Sequence, residues 1–548
     1  MIAPPSTSQH DPPPTPVDPE QAPPDPPQPL RVLDHSHRPQ TWTAVVTAPF
    51  ASKPSSFLAA LEQMVQHPEH STSWILRSDT LSDTLHPLLH PSSASSASSA
   101  SSPEDCDAAR TISVPGYTVT RTLVRRFVPR NPARDAPAVQ TCLFLSHTAA
   151  LAGDGDAGIC ELVAFVAHSD DAASTPYYLP SVRGVGWLLF PSGGGYALSL
   201  LYALFPGTAP ADTDPVGGRR LERTAGHLLA RAQKLAAGLE SGYVQRVHHD
   251  LLVPRETFQD LYLALRGRHA GRLLSGWREK TDPRKHVFED ILIATFLICL
   301  WERMFPSRRG WKGFADVGCG NGVLVDILLR EGWSGVGIDA RARKSWAGFC
   351  PDTRRRLLQR VLVPWLLVEH EGHDGHESQG QEHGQGHEGQ GHGEHDGRFD
   401  EGTFIVSNHA DELTAWTPLL AAGSNCPFLA IPCCSHDLSG AKKRFPPPPP
   451  APRIDDDDDG RTGDLRRNAN VSKSTYSSLC AYVERLARDC GWRVEREVLR
   501  IPSTRNVAIV GRHRVDRQAD AAEVLRREGC GKGWRERVHA LKRPSSEH

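Results

Sequence analysis

Two aspartates and three glycines in the middle of the chain have the spacing of a cofactor-binding turn. A short apolar run ends at Asp316, and Gly318, Gly320 and Gly322 follow it at two-residue spacing. A helix-like segment comes next, and a second apolar run then ends at Asp339. Strand, glycine turn, helix, strand and acid make up the first half of a βαβ unit that holds a nucleoside-bearing cofactor.

The spacing of this turn favours S-adenosylmethionine over NAD. The pattern D-x-G-x-G-x-G differs from the dinucleotide fingerprint G-x-G-x-x-G, which serves a pyrophosphate. An acid at the end of the first strand suits a ligand that has a cationic amino group and no pyrophosphate. We predict that Asp316 faces the methionine end and that Asp339 accepts the two ribose hydroxyls. The three glycines let the cofactor approach the backbone, because a Cβ there would collide with it.

Polar residues also follow two later runs that have the composition of buried strands, 403–408 and 428–433. Ligands of doubly wound sheets bind beyond the carboxyl ends of the strands. Methyl transfer is an in-line displacement, and a hydroxyl acceptor needs a group that takes its proton. The N-P-P-Y or D-P-P-Y turn that grips base amines is absent. We therefore assign catalysis to the cluster Asn408, Asp411 and Glu412. Asp411 also fits a helix cap, and one carboxylate can serve both roles.

The segment after the second of these strands allows two kinds of chemistry. Three cations are expected to bind substrate phosphate or to steady a developing oxyanion: Lys442, Lys443 and Arg444. The tandem Cys433 and Cys434 supports a rival mechanism, since C5 methylation of a pyrimidine requires a thiolate that attacks the ring. Buried cysteines beside proline are more often packing residues.

Composition divides the chain into a tail, two folded units and low-complexity inserts. Short strand-like runs between Thr111 and Phe205 predict a β-rich N-terminal domain. Arg125, Arg126 and Arg130 in this region are expected on a solvated strand face, with RNA-backbone contact as the alternative. The predicted organisation is a disordered Pro-rich tail (1–30), a β-rich domain with a Ser/Ala loop (40–240), a methyltransferase domain (241–515) with inserts at 370–396 and 446–466, and a basic C-terminal tail (516–548).

A long helix is predicted just before the first strand of the cofactor-binding unit. Thr281 or Asp282 followed by Pro283 is a good helix start, because the cap oxygen satisfies free N–H groups. Glu289 and Asp290 are expected on its solvated face, with reach into the cofactor pocket as the alternative. Its buried face is predicted from apolar residues at helical spacing: Val287, Ile291, Ala294, Leu297 and Ile298.

The overall charge excludes a strongly basic nucleic-acid-binding chain. Lys plus Arg number 62 against 64 Asp plus Glu, so the formal net charge is −2 and any nucleic-acid surface must be a local patch. The longest apolar run, Ile291 to Trp301, is too short to span a bilayer. The 12 cysteines contain no C-x-x-C pair, and no metal site is predicted. We expect a soluble protein of a reducing compartment.

Several segments resemble a known family. FADVGCGNGVLVDIL, FIVSNHADELTAW, IPCCSHDLSGAKKRF and IPSTRNVAIVG are similar to segments of the eukaryotic tRNA (uracil-2′-O-)-methyltransferases that modify uridine 44 of serine tRNAs. The resemblance covers most of the chain from Arg125 to Gly511 apart from the inserts. NHADELT and PCCSHD are not general methyltransferase motifs, which makes the resemblance specific.

The resemblance implies a Rossmann-like methyltransferase that uses S-adenosylmethionine to methylate a ribose 2′-hydroxyl of serine tRNA in the cytoplasm. It supports the cofactor roles of the two aspartates and three glycines. Apart from the resemblance, we expect no membrane association, and we infer no obligatory protein partner. The resemblance does not decide which residue is the base. Some members carry a C-terminal zinc finger, but only Cys530 lies there in this chain, so none is expected. A catalytically silent tRNA-binding scaffold remains an alternative.

Overall fold

The computed structural model describes most of the chain and divides it into two compact units, Met1–Val244 and Gln245–His548. The described residues are 24–85, 108–147, 160–207, 215–243, 249–367, 393–446, 474–529 and 531–542. Five features noted in the sequence lie wholly or mostly outside these residues: the Pro-rich tail, the Ser/Ala loop, the two inserts and Cys530.

The first unit is an antiparallel sheet with two helices against one face. Its described strands are β1 (Leu30–Asp34), β2 (Pro39–Phe50), β3 (Ile75–Asp83), β4 (Ile112–Ser113), β5 (Tyr117–Pro129), β6 (Ala138–His147), β7 (Glu161–Ala167), β8 (Gly184–Ser192) and β9 (Gly195–Ala203). The sheet order is β3-β5-β6-β7-β8-β9-β2-β1-β4. The helices are α1 (Pro54–Gln66) and α2 (Pro215–Glu240). The β-rich expectation is confirmed, although β1 to β3 and α1 were not predicted.

The core of the first unit explains why apolar and polar residues alternate along its strands and why α2 is amphipathic. Ala225, Leu229, Ala232 and Ala236 recur at helical spacing and are buried with the inward side chains of the sheet. The opposite sheet face has a smaller buried cluster around Trp42. The arginines of β5 do not share one solvated face as expected. Arg125 has only 3% of its surface exposed, because it points inward with the apolar residues of its strand.

The second unit contains a mixed sheet. The order in which its strands follow one another along the chain reverses direction in the middle of the sheet. The described strands are β10 (Phe314–Val317), β11 (Gly335–Asp339), β12 (Leu357–Gln359), β13 (Val361–Leu362), β14 (Glu394–His395), β15 (Phe404–Asn408), β16 (Phe428–Ile431), β17 (Trp492–Val498) and β18 (Val507–Arg514). The main sheet has the order β12-β11-β10-β15-β16-β18-β17. Neighbouring strands of this sheet are parallel except at β18, which runs antiparallel to both β16 and β17. Strands β17 and β18 form the predicted closing hairpin. The order reverses between β10 and β15, where such sheets form a ligand crevice.

Helices cover both faces of this sheet. They are α3 (Arg255–Ser275), α4 (Pro283–Met304), α5 (Val323–Arg330), α6 (Pro351–Arg356), α7 (Thr417–Gly423), α8 (Thr475–Asp489), α9 (Ala521–Arg527) and α10 (Trp534–Lys542). The last two helices lie where the sequence suggested a basic tail. Trp534 is buried, contacts Trp416 at a ring distance of 5.4 Å and donates a hydrogen bond to the Leu362 carbonyl. Among the described residues, no helix is long and apolar enough to cross a membrane.

Helix α4 confirms the predicted start and corrects the expected polar face. Asp282 caps the helix by accepting a hydrogen bond from the Arg284 N–H at 2.9 Å, and Pro283 opens the first turn. All five predicted apolar positions are buried. Glu289 and Asp290 were expected in solvent, but they are 7% and 8% exposed. Their side of the helix faces the glycine turn and not water.

Candidate active site

A cavity of about 390 Å³ lies at the carboxyl ends of β10 and β15. Its size falls within the range of small-molecule sites, and it sits at the point where the strand order reverses. Three elements supply most of its polar wall: the first turns of α4, the turn after β10 and the turn after β15. Its lining includes Lys285, His286, Glu289, Asp290, Asp316, Gly318, Gly320, Asn408, His409, Cys433 and Arg505.

The turn after β10 forms a smooth backbone cradle. Gly320 has φ +53° and Gly322 has φ +73°, in the left-handed region that glycine adopts most readily. A Cβ built on Gly320 would meet no atom within 4 Å, so this backbone faces open space in the cavity. A Cβ on Gly322 would lie 3.1 Å from the Leu357 side chain. Gly320 therefore borders the ligand space, whereas Gly322 is needed for packing at the start of α5.

Three carboxylates concentrate negative charge at one end of the cavity. Asp316 is 1% exposed, and its Oδ1 has no hydrogen-bond partner among the described residues. Burial, together with the charges of Asp290 and Asp339, raises the pKa of Asp316 well above its ordinary value. Burial and the neighbouring charge of Glu289 also raise the pKa of Asp290, from 3.8 to about 7. Such a cluster is stabilised by a bound cation.

The turn after β15 has a strained backbone and polar atoms that lack partners. His409 and Asp411 both have positive φ values, +50° and +46°, which are costly for residues other than glycine. The Asn408 amide contacts Asp290 Oδ1 at 3.5 Å, and His409 Nε2 lies 3.2 Å from Glu289 Oε1. Asn408 Oδ1 and His409 Nδ1 are buried and have no hydrogen-bond partner among the described residues. Strain and orphaned polar atoms together mark a ligand-binding turn.

Asp411 lies beside the two cysteines that follow β16. The Cys433 thiol donates a hydrogen bond to Asp411 Oδ1 at 3.2 Å. Burial and the Asp411 charge raise the pKa of the Cys433 thiol, and burial also raises that of Cys434. These three side chains each bring one ligand atom within 4.8 Å of the others, a spacing that metal sites also use.

The remaining sequence-predicted residues lie around the cavity and not in its wall. Glu412 forms an ion pair with Arg537 of α10. The oxygens of Asp339 accept hydrogen bonds from the N–H groups of Gly320 and Arg341, both at 2.9 Å. Three exposed cations follow β16 on a loop beside Cys434 and His436: Lys442, Lys443 and Arg444.

Relatives that are similar over most of their length decide the family. A tRNA (uracil-O(2)-)-methyltransferase from Neurospora crassa is 38% identical over 513 residues, covering 91% of this chain and 92% of the relative. Proteins of the same name from Yarrowia lipolytica and Saccharomyces cerevisiae are each 36% identical, covering 91% and 71% of this chain and 95% and 68% of the relative. The chain belongs to the tRNA (uracil-O(2)-)-methyltransferase family. No solved structure matches it.

Two family models divide this family member much as the fold does. Residues 17–246 match a TRM44-like, N-terminal bet v1-like domain, and residues 252–364 match a predicted AdoMet-dependent methyltransferase. The second match spans α4, the glycine turn and β11. The cofactor of this methyltransferase domain is S-adenosylmethionine, as the sequence predicted.

The cavity residues fit S-adenosylmethionine. Among the described residues, Asp316 Oδ1 and Asn408 Oδ1 are buried acceptors without partners, and the cofactor carries an ammonium group that donates hydrogen bonds. The excess of carboxylates suits a ligand with cationic groups, and the Gly320 backbone leaves room for it. In this family member Asp316 and Asn408 would hold the amino-acid end of the cofactor.

Sequence reasoning missed Lys285 and His286 of α4, and it gave a place in the cofactor pocket for Glu289 and Asp290 only as the alternative to a solvated face. Lys285, His286, Glu289 and Asp290 occupy one side of two helical turns and line the cavity. The signal was available in their spacing, because the cap at Asp282 fixes the start of the helix and hence the direction of each side chain. The sequence gives the direction of these side chains, but it does not show which element covers this side of the helix.

Proposed function

We propose that the protein transfers the methyl group of S-adenosylmethionine to the ribose 2′-hydroxyl of a uridine in tRNA, at position 44 of serine tRNAs. The observation that carries the proposal is the pair of orphaned buried oxygens, on Asp316 and Asn408, beside an open glycine backbone. The names of the relatives and the sequence resemblance supply the acceptor. As the resemblance implies, the reaction takes place in the cytoplasm.

The cofactor half of the site acts through charge and shape. When bound, S-adenosylmethionine supplies a methyl group activated by a sulfonium centre. Asp316 accepts a hydrogen bond from the ammonium group of the cofactor. Glu289 and Asp290 provide the negative electrostatic potential that favours a bound cation. Asp339 binds the ribose hydroxyls: each carboxylate oxygen holds one backbone N–H and retains a second lone pair.

The acceptor half of the site takes a proton from the ribose hydroxyl. Asn408 orients the hydroxyl through its amide N–H, which leaves its Oδ1 for the cofactor. Asp411, at the strained turn beside the cavity, receives the proton as the new O–C bond forms and the methyl–sulfur bond breaks. Glu412 supports this turn through its ion pair with Arg537 and, in this scheme, does not act as the base. The RNA backbone is bound by the exposed cations after β16, as salt-sensitive phosphate contacts: Lys442, Lys443 and Arg444.

The cysteine pair does not favour C5 methylation. A nucleophilic cysteine needs a lowered pKa or a general base that activates it. Burial and the neighbouring carboxylate instead raise the pKa of Cys433, which keeps the thiol protonated. Cys433 then serves to hold Asp411 in place through their hydrogen bond.

The test is to identify the methylated nucleoside. Purified protein is incubated with labelled S-adenosylmethionine and unmodified serine tRNA, and the RNA is digested. We expect 2′-O-methyluridine at position 44, and we expect Asp316→Asn to weaken cofactor affinity in calorimetry by about 10- to 100-fold, since one charged hydrogen bond is lost. Detection of a 5-methylpyrimidine would instead indicate C5 methylation with one of the two cysteines as the nucleophile. Folded protein that binds no cofactor would instead be a scaffold.

The same assay assigns the base through two adjacent acids. Asp411→Asn should lower kcat by about 100-fold or more with cofactor affinity unchanged, because proton removal is lost. Glu412→Gln is the matched control, since it removes an equal charge one residue away. A larger kcat loss in Glu412→Gln than in Asp411→Asn would move the base to Glu412.

A further inference from the structure

The first unit contains a separate cavity of about 450 Å³ between the sheet, α1 and α2. Its wall combines aromatic rings with cations, and none of the described lining residues is an aspartate or a glutamate. The rings include Phe127 and Phe165 of the sheet and Tyr178 of the β7–β8 connection. This composition is unusual for a site that holds only hydrocarbon, which needs no charged residue.

Arg125 is the deepest cation of this cavity. Its side chain donates to the carbonyls of Met64 and Val65 at the end of α1 and to Gln140 Oε1. Its guanidinium lies over the rings of Phe127 and Phe165, at 4.6 and 4.7 Å. Among the described residues no carboxylate forms a salt bridge with Arg125, and the recorded bonds use four of its five N–H groups. A buried donor therefore remains available to a ligand acceptor.

Further cations and rings stand at the outer part of the cavity. Arg223 is exposed on α2 and lines the cavity beside His227. The ring of Tyr177 has 63% exposure and contacts Trp74 at a centroid distance of 5.6 Å. Solvent-facing aromatic rings beside an arginine form the platform on which nucleic-acid bases stack.

We propose that this cavity binds an unstacked nucleotide of RNA, with the base among the aromatic rings and the phosphate at Arg223. The base edges carry acceptors for the remaining Arg125 N–H, and stacking on rings tolerates any base. The absence of acidic lining residues in the described part of the wall matches a polyanion. A fatty acid would use one of these cations and leave the others without a counter-charge. The inference rests on the proposed function in taking RNA as the substrate.

Fluorescence anisotropy with labelled pentauridylate and the full chain tests the proposal. Arg223→Glu should weaken binding by about tenfold or more, through loss of a phosphate contact and added repulsion. Arg219→Glu is the matched control, because it makes the same charge change one helical turn away at an exposed residue outside the cavity wall. Tyr177→Ala, at an exposed ring, should also cost about tenfold by removing a stacking surface. Equal effects of the two charge reversals, or none, would overturn the proposal.

Two parallel measurements distinguish this proposal from the catalytic proposal and from binding of an apolar ligand. Methylation of serine tRNA is followed in the same preparations. If wild type fails to methylate but Arg223→Glu still loses oligonucleotide binding selectively, the catalytic proposal fails and the nucleotide site stands. A fluorescent fatty acid that binds wild type and is displaced by oleate, but not by pentauridylate, would replace the nucleotide with an apolar ligand.

Discussion

At the scale of single residues, Asp290 shows how burial makes the ionisation of a carboxylate depend on a bound ligand. Its carboxylate is 8% exposed and shares the cavity with Asp316, while its contacts to Asn321 and Asn408 only partly offset the cost of burial. In the cofactor-free protein the ionised form is therefore unfavourable near neutral pH. A bound cation reverses that balance, so the same carboxylate destabilises the empty site and stabilises the filled one.

This balance predicts how stability depends on pH. The pKa of Asp290 rises from 3.8 in the unfolded chain to about 7 in the folded one, so the folded protein holds one more proton between these values. Stability of the cofactor-free protein should then fall as pH rises through this window, by about 1.4 kcal/mol per pH unit at most from this group. Asp290→Asn should remove that part of the slope.

Thermal unfolding at pH 5, 6 and 7 (about the window in which this proton is lost) measures the effect. The midpoint of Asp290→Asn relative to wild type should increase steadily with pH. Glu302→Gln, at an exposed acid on the same helix, is the control for the removal of one carboxylate. A constant difference between Asp290→Asn and wild type across this range would show that Asp290 does not titrate there.

Part of this residue-scale description could be predicted and part could not. Asp316 and the glycines were found because their spacing reflects local backbone geometry, which a sequence records directly. The burial of Glu289 and Asp290 depends on the turn after β15, more than 100 residues later in the chain. Burial of a polar residue is a property of its distant neighbours, and helical periodicity alone assigns it to solvent.

At the scale of elements, two glycines of the same turn have different roles that their spacing in the sequence does not distinguish. Gly320 borders the ligand space, and Gly322 is needed for packing. Gly320→Ala places a methyl group in open cavity space and adds about 1–2 kcal/mol of left-handed strain, so cofactor affinity should fall more than stability. Gly322→Ala adds similar strain but brings a Cβ to 3.1 Å from Leu357 and 3.2 Å from Trp346, so stability should fall more.

Calorimetry with S-adenosylmethionine and thermal unfolding, performed on both variants, distinguish the two effects. The expected result is a crossed pattern, with the larger loss of affinity in Gly320→Ala and the larger loss of thermal midpoint in Gly322→Ala. Parallel losses in both variants would mean that the turn tolerates neither substitution for the same reason. The spacing of the glycines predicted the turn but gave no way to tell these positions apart.

At the scale of the whole molecule, each unit has its own core. The two large buried clusters around α4 and α7 draw all their members from residues 253–538, and the clusters around Trp187 and Trp42 draw theirs from residues 32–236. The sequence predicted this division from its change of pattern. It missed β1 to β3, because their polar residues and prolines hide the alternation, and α9 and α10, because their arginines suggest a tail.

Separate cores predict that the units fold separately. Residues 249–542, produced alone, should bind S-adenosylmethionine with an affinity within about threefold of the full chain, a difference of about 0.7 kcal/mol. Residues 24–243 should give a cooperative thermal transition and bind none. Circular dichroism and calorimetry check both statements. A folded 249–542 fragment that binds no cofactor would show that the first unit is required for the site.

The contact between α10 and the catalytic turn has a consequence for how the enzyme emerges during translation. The glycine turn is completed within a few dozen residues, and its partners in α4 precede it on the ribosome. The turn that carries Asn408 and Asp411 is contacted by Arg537 through Glu412, and Arg537 is synthesised more than 100 residues later. We therefore expect methyl transfer to become possible only after α10 has been synthesised.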